Sequence, residues 1–149
     1  MKPELFLTLA RAISNKPIVG PAECRTAISR AYYGVFHSLR RFIKLDLSIS
    51  IHASGGRDNS HLLLQQYLVN CNVALAAQMG RMLRDLHDSR KEADYDLDND
   101  KLETSAHVQA CVARADSLLN KLELLNQAPT KQLFIAGLTQ YKKLRQGLS

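Results

Sequence analysis

Apolar residues recur every three to four positions along most of the chain, a pattern typical of amphipathic α-helices. Strict alternation of apolar and polar residues never runs long enough to predict a sheet. Breaks rich in proline, asparagine or glycine divide the pattern into helical segments at about 3–14, 22–44, 60–70, 73–93, 102–125 and 131–145. We therefore predict an all-α protein, an antiparallel helical bundle of five to six helices with short connections.

Two of the predicted connections differ from ordinary short turns. A long polar loop is expected from Leu45 to Asn59, because this stretch is rich in Ser and Gly, and Asn59 followed by Ser60 is a helix-start signal. An acidic stretch from Asp94 to Asp100 separates the fourth and fifth helices. It lacks the glycine and the final glutamate of a calcium loop, so we interpret it as a solvated turn.

Length and composition indicate one globular domain over residues 1–149, with a basic C-terminal helix at 131–145. The 46% hydrophobic and 23% charged residues exclude a disordered chain, and the longest apolar run is too short to cross a membrane. The first eight residues contain an acid and a proline where a secretory signal has basic and apolar residues, so we expect a cytoplasmic protein. The three cysteines are far apart and unclustered, and we expect no disulfide, metal or cofactor.

The net charge of +6 is unevenly distributed along the chain. Residues 1–44 contain eight Lys and Arg against two acids, whereas residues 45–149 contain twelve against twelve. Residues 85–103 alone contain eight acids. A polarised molecule can hold an anion on one face and meet a basic partner, or its own copy, with the other. Ordinary solvated helix faces explain the same pattern.

The second predicted helix has an apolar stripe that is expected to face the core, formed by Ile28, Tyr32, Val35, Leu39 and Phe42. Its opposite side carries Arg30, His37 and Arg41, flanked by Tyr33. Arg30 and His37 lie two turns apart, about 10 Å along the axis, so that a phosphate fits between them. Histidine can move a proton near neutral pH and arginine can stabilise charge on phosphate oxygens, which suits phosphodiester cleavage. Plain solvent exposure explains this face equally.

Gly34 interrupts the same helix. Glycine costs about 1 kcal/mol relative to alanine in a helix interior, so we expect another helix or a ligand to approach closely here.

Arg90 lies at the edge of the apolar stripe of the fourth predicted helix, with His87 one turn back on the same flank. A guanidinium beside apolar surface needs a partner, and Asp94 is within reach if the helix continues that far. Two roles remain open for Arg90: an ion pair that ends the helix, or an anion contact in a cleft.

Two motifs resemble those of a known family. The run Ser-Arg-Ala-Tyr-Tyr-Gly-Val-Phe-His at 29–37, followed by Arg-Lys-Glu-Ala-Asp-Tyr-Asp at 90–96, resembles the HEPN superfamily, and more narrowly its small single-domain proteins. The resemblance covers about residues 20–125. It implies a helical bundle that forms a homodimer and works beside a minimal nucleotidyltransferase, in many cases as toxin and antitoxin. Many members are metal-independent ribonucleases that use an Arg followed, after four to six residues, by a His.

By position, Arg90 matches the family's arginine, but no histidine follows it at the family's spacing. His61 resembles a histidine found between the two motifs, and Tyr95 resembles the tyrosine that the partner transferase modifies. We predict Arg90 and Arg30 as phosphate contacts and His37 as the proton carrier. The predicted binding residues are Tyr33, Arg41, Asp94, Tyr95 and His61.

Three functions follow as hypotheses. The first is a metal-independent endoribonuclease toxin that cleaves RNA through attack of the 2′-hydroxyl. The second is a non-catalytic module that binds a nucleotide or scaffolds a nucleotidyltransferase. The third is a homodimeric helical protein whose motif residues have structural roles only.

Overall fold

The computed structural model describes residues 1–51 and 59–147, and these residues form an all-α helical bundle. No strand occurs in this part of the chain, which confirms the predicted fold class. The six helices are α1 (Glu4–Ser14), α2 (Pro21–Arg41), α3 (Ser60–Asn70), α4 (Ala74–Tyr95), α5 (Ser105–Leu125) and α6 (Thr130–Gly147). None of the described helices is long and apolar enough to cross a membrane.

The polar loop predicted from Leu45 is wrong over its first residues. A π-helical turn over Phe42–Asp46 extends α2 instead, with the Leu47 amide bonded to the Phe42 carbonyl at 3.1 Å. Leu47 and Ile49 are buried, and these apolar side chains hold the segment against the protein. Residues 52–58 of the predicted loop lie outside the described residues. Asn59 occupies the N-cap position of α3 as predicted, but its side chain makes no capping hydrogen bond.

The boundaries of α4 and α5 also differ from the prediction. Helix α4 continues to Tyr95, so the first residues of the acidic stretch are helical. Helix α5 begins at Ser105 because Thr104 caps it, its hydroxyl accepting a hydrogen bond from the His107 amide at 3.2 Å. A single 3₁₀ turn over Asp100–Leu102 precedes that cap and buries Leu102.

The chain divides into two compact units. Unit 1 comprises Met1–Ser38 and Leu83–Leu119, and unit 2 comprises Leu39–Met82 and Asn120–Ser149. The divisions fall inside α2, α4 and α5. The sequence-based description of residues 1–149 as one domain stays a prediction.

In unit 1, α1 packs closely on α2. A Cβ atom at Gly34 would lie 3.1 Å from both the backbone nitrogen and the Cβ of Leu7, so α1 approaches α2 as closely as the glycine allows. This contact confirms the close approach expected at Gly34. The α2 residues of the predicted stripe that belong to unit 1, Ile28, Tyr32 and Val35, are fully buried. An ion pair between Arg11 and Asp116 joins α1 to α5.

Unit 2 has its core around α3 and α6. The ring of Phe42 stacks on that of Phe134 with centroids 6.4 Å apart. A Cβ atom at Gly137 would overlap the Cys71 carbonyl oxygen, so only glycine lets α6 pass the C-terminal end of α3 at this distance. Cys71 is buried with a free thiol, as are the other two cysteines of the chain.

Candidate functional site

The two sequence motifs meet within unit 1. Tyr33 of α2 accepts a hydrogen bond from Nη2 of Arg90 of α4, with its hydroxyl 2.7 Å away. The two residues are 57 positions apart in the chain. Because a charged donor shortens and strengthens such a bond, this contact fixes the orientation of the guanidinium. We call the group formed by Tyr33, Arg90 and Asp94 the arginine cluster.

Arg90 forms an ion pair with Asp94, which is one of the two roles that the sequence left open for this arginine. Nε of Arg90 lies 2.7 Å from Oδ2 of Asp94, with the N–H directed too far off line for a hydrogen bond. This contact forms because α4 continues to Tyr95, which places Asp94 on the turn after Arg90. The Arg90 side chain is only 15% exposed. Ser29 approaches the same carboxylate from α2, with its hydroxyl 3.5 Å from Oδ2.

Two tyrosine rings border the guanidinium of Arg90. Its central carbon lies 5.2 Å from the ring centroid of Tyr33 and 5.5 Å from that of Tyr95. Both distances are typical of cation–π contacts. Tyr33 is half-buried, whereas Tyr95 is 75% exposed, so one wall of the cluster is fixed in the protein and the other faces solvent.

The phosphate position between Arg30 and His37 stays a prediction, and the ring of Phe6 lies against both side chains. The Phe6 centroid is 5.5 Å from the central guanidinium carbon of Arg30 and 5.7 Å from the stacked ring of His37. Arg30 and His37 are half-buried rather than open to solvent. Gly34 explains the difference: it admits α1, and α1 brings Phe6 onto this face.

His37 also contacts Tyr33. The His37 and Tyr33 rings stack with centroids 5.8 Å apart, while the Tyr33 hydroxyl is bonded to Arg90. Tyr33 therefore contacts both the predicted proton carrier and the predicted phosphate contact.

His87 is the one histidine of α4, three positions before Arg90, and it was not among the predicted catalytic residues. The two residues are three positions apart on α4, a spacing that puts side chains on one face about 5–6 Å apart at Cβ. The His87 ring lies 5.1 Å from the buried ring of Tyr32. Burial and the charges of Lys91 and Arg90 lower the His87 pKa, against the opposing effect of Asp88. Its imidazole is therefore neutral at pH 7, the form that accepts a proton.

Arg25 was also missed, although it organises the acidic stretch after α4. Its guanidinium donates to the Glu103 carboxylate at 2.8 Å. The remaining donors bind main-chain carbonyls at 2.9–3.3 Å, those of Ala93, Asp96, Leu97 and Asn99. The interpretation of this stretch as a solvated turn is therefore incomplete: its acidic side chains are mostly exposed, but its backbone is bound to a largely buried arginine.

The other two predicted binding residues belong to unit 2. Arg41 is exposed at the end of α2, and His61 is half-buried in the first turn of α3. Among the described residues, no group of three His, Cys, Asp or Glu side chains could hold a metal ion.

Comparison with family models, with curated proteins and with solved structures finds no match to this chain. The resemblance to the HEPN superfamily therefore rests on residues 29–37 and 90–96, which the structure brings together at Tyr33 and Arg90.

Proposed function

We propose that this protein is a HEPN-type, metal-independent endoribonuclease, the toxin of a pair whose antitoxin is a minimal nucleotidyltransferase. The observation that supports the proposal most is the bond between Arg90 and Tyr33, which joins the two motifs of the resemblance in one partly buried group. A guanidinium held in this way presents fixed donors to a phosphate, with no reorganisation when charge develops on it.

The arginine cluster and His87 supply the groups that RNA cleavage requires. His87 takes the proton of the ribose 2′-hydroxyl, and the oxygen attacks the adjacent phosphorus while Arg90 binds the phosphate oxygens. The bond to the 5′-oxygen breaks, and that oxygen takes the proton back from the imidazolium. The products are a 2′,3′-cyclic phosphate and a 5′-hydroxyl. His87 lies one turn before Arg90 on the same helix and is neutral at pH 7, so it suits the role of base better than His37, whose ring stacks on Phe6 and Tyr33.

The experiment is cleavage of single-stranded and structured RNA by the purified protein in EDTA. We expect fragments with cyclic phosphate ends, and a loss of at least about 100-fold in rate for Arg90→Ala, the range seen when one such electrostatic contact is removed. Arg84→Ala, which removes an exposed arginine of the same helix, is the matched control. Intact RNA at high protein concentration, or equal cleavage by Arg90→Ala, overturns the proposal.

A second candidate is a non-catalytic module that scaffolds the nucleotidyltransferase. It is favoured by the state of Arg90, which is already ion-paired with Asp94 and hydrogen-bonded to Tyr33. It is also favoured by the exposure of Tyr95 and Leu97, which are 75% and 73% exposed. Its test is co-purification with a minimal nucleotidyltransferase and mass spectrometry of Tyr95. This candidate is excluded if the co-expressed nucleotidyltransferase does not co-purify with the protein and Tyr95 stays unmodified.

The proposal also includes a homodimer in the cytoplasm. Light scattering on the purified full chain tests the dimer, with twice the 16.7 kDa chain mass as the expected result and the mass of one chain as the contrary one.

A further inference from the structure

The positive charge of this protein belongs to unit 2. Counted over their sequence ranges, unit 1 has ten Lys and Arg against eleven Asp and Glu, and unit 2 has ten against three. The net charges are therefore −1 and +7, which add to the +6 of the chain. Arg57 and Asp58 lie outside the described residues, but their charges cancel and leave the balance unchanged.

The division into units changes the charge distribution that was inferred from position along the chain. The basic surplus of residues 1–44 includes Arg40, Arg41 and Lys44, which belong to unit 2. The remaining cations of that stretch lie in unit 1 together with the acidic residues 85–103. Several of them pair with acids there, as Arg25 does with Glu103. Unit 1 is therefore nearly neutral, although it holds the arginine cluster.

The cations of unit 2 far outnumber its acids. In the described part of unit 2 the only acids are Asp46 and Glu123, and both are exposed. The described cations of unit 2 are Arg40, Arg41, Lys44, Arg81, Lys121, Lys131, Lys142, Lys143 and Arg145. Two carboxylates cannot neutralise nine cations, so a positive potential remains around unit 2 whatever their pairing.

Helix α6 concentrates this charge. Its 18 residues include four of these cations and no acid at all, which is unusual for a surface helix, where opposite charges commonly alternate at helical spacing. Lys131 lies in the first turn, where a cation opposes the helix dipole and lowers helix stability. The helix dipole therefore does not account for the cation there. Lys131 to Arg145 span about 21 Å along the axis.

The C-terminal part of α6 holds its arginine in a fixed position beside an aromatic ring. Nη1 of Arg145 donates to Oε1 of Gln66 of α3 at 2.7 Å, and its guanidinium lies 5.9 Å from the Tyr141 ring. Tyr141 in turn contacts the buried Tyr67 edge-on at 5.0 Å. Half-buried Tyr141 thus combines a positioned cation with an aromatic surface, the two features that single-stranded nucleic acid binds.

We propose that unit 2 binds the phosphate backbone of single-stranded RNA at the C-terminal end of α6, with Lys142 and Arg145 on phosphates, Tyr141 against a base, and the exposed Lys143 adding to the positive potential. The choice of RNA among polyanions rests on the proposed function; the binding surface itself does not. Such a surface raises the local concentration of RNA on the protein with little sequence specificity.

The test is fluorescence anisotropy with a labelled single-stranded RNA whose 2′-O-methyl groups prevent cleavage. For Lys142→Glu/Lys143→Glu we expect at least about tenfold weaker binding near 0.15 M salt, and a salt slope shallower by at least about 0.7, the value for one phosphate contact on a single strand. Lys2→Glu/Lys101→Glu in unit 1 changes the net charge equally at exposed positions, and it is expected to bind nearly as the wild type does. Because Lys142 is half-buried, Lys142→Gln/Lys143→Gln serves as a milder variant with about half the effect on log affinity.

The inference is overturned if the two glutamate double variants weaken RNA binding equally. It is also overturned if the unit 2 double variant binds RNA as tightly as the wild type, or if the protein binds vesicles of anionic lipid and no RNA. The outcomes separate the two proposals. RNA bound through α6 but never cleaved leaves this inference standing and removes the proposed activity. RNA cleavage by the wild type, together with unchanged RNA binding by the unit 2 variants, removes this inference and leaves the proposed activity standing.

Discussion

Nη2 of Arg90 donates a hydrogen bond of 2.7 Å to the hydroxyl of Tyr33, and the two side chains come from motifs far apart in the chain. The bond matters because Arg90 is only 15% exposed and its charge requires partners. Asp94 supplies the counter-charge and Tyr33 the hydrogen bond. The same two contacts that stabilise the fold also fix the orientation of the guanidinium, which the proposed phosphate contact requires.

Tyr33→Phe removes the hydroxyl and leaves Nη2 of Arg90 without this partner. Hydrogen bonds to charged groups contribute about 1.5–3 kcal/mol, so we expect the free energy of unfolding in urea to fall by about 2 kcal/mol. Tyr95→Phe removes the same atom from a ring that is 75% exposed, and it is expected to change stability by less than about 0.5 kcal/mol. Equal effects of the two variants would show that the Arg90–Tyr33 bond contributes little.

Arg25→Ala leaves the Glu103 carboxylate and four main-chain carbonyls without their common donor. We expect a loss of about 3 kcal/mol in stability, because removing one partner of a partly buried ion pair leaves the other unpaired. Hydrogen exchange of the amides between 93 and 103 should accelerate. Arg25→Lys should recover only part of the loss, because an ammonium lacks the planar fork that reaches these acceptors together. Unchanged exchange in Arg25→Ala would contradict this role.

Gly137→Ala tests the packing of α6 on the end of α3. A Cβ atom there overlaps the Cys71 carbonyl oxygen, and a backbone atom cannot turn away as a side chain can. We expect destabilisation by about 3 kcal/mol in urea unfolding, despite the better helix propensity of alanine. Gly147→Ala in the same helix meets nothing within 4 Å and should be neutral or slightly stabilising. A neutral Gly137→Ala would mean that the two helices pack differently.

The lowered pKa of His87 makes stability depend on pH. In the unfolded chain His87 takes up a proton near pH 6.5, whereas the folded protein takes it up only at lower pH. The unfolded state therefore binds more protons in between, and the free energy of unfolding falls as pH drops below about 6.5, levelling off below the folded pKa. Urea unfolding of wild type and His87→Gln between pH 5 and 7.5 measures this. The variant should lose that part of the pH dependence, and parallel curves would contradict the lowered pKa.

His87 and His37 give opposite predictions for catalysis. His87→Gln should lower the rate of RNA cleavage by about 100-fold or more, the usual contribution of a general base. His37→Gln removes a ring stacked on Phe6 and Tyr33, so it should lower thermal stability with a much smaller effect on the rate. The reverse order would return the proton-carrier role to His37.

Helical periodicity predicts this fold well, because the apolar stripes that it detects are the buried faces. Ile28, Tyr32, Val35, Leu39 and Phe42 are all buried as predicted. Gly34 correctly indicates a close approach of another element. Asp94 is correctly identified as the partner of Arg90, since a contact between residues four apart on one helix depends only on the helix continuing.

What sequence reasoning missed depends on contacts between distant residues. Most acceptors of Arg25 are main-chain carbonyls 68 to 74 positions away, and carbonyls carry no residue-specific signal. Phe6 covers Arg30 and His37 only because α1 packs across α2, which the pattern of α2 alone does not predict. The positive charge of unit 2 was not predicted either, because residues close in sequence, such as Arg30 and Arg40, belong to different units.

The rate of RNA cleavage in EDTA by wild type and Arg90→Ala tests the central claim most directly. We expect cyclic phosphate products from the wild type, and at least about a 100-fold lower rate for a folded Arg90→Ala variant. RNA that stays intact with the wild type, or equal rates for the two proteins, would contradict it.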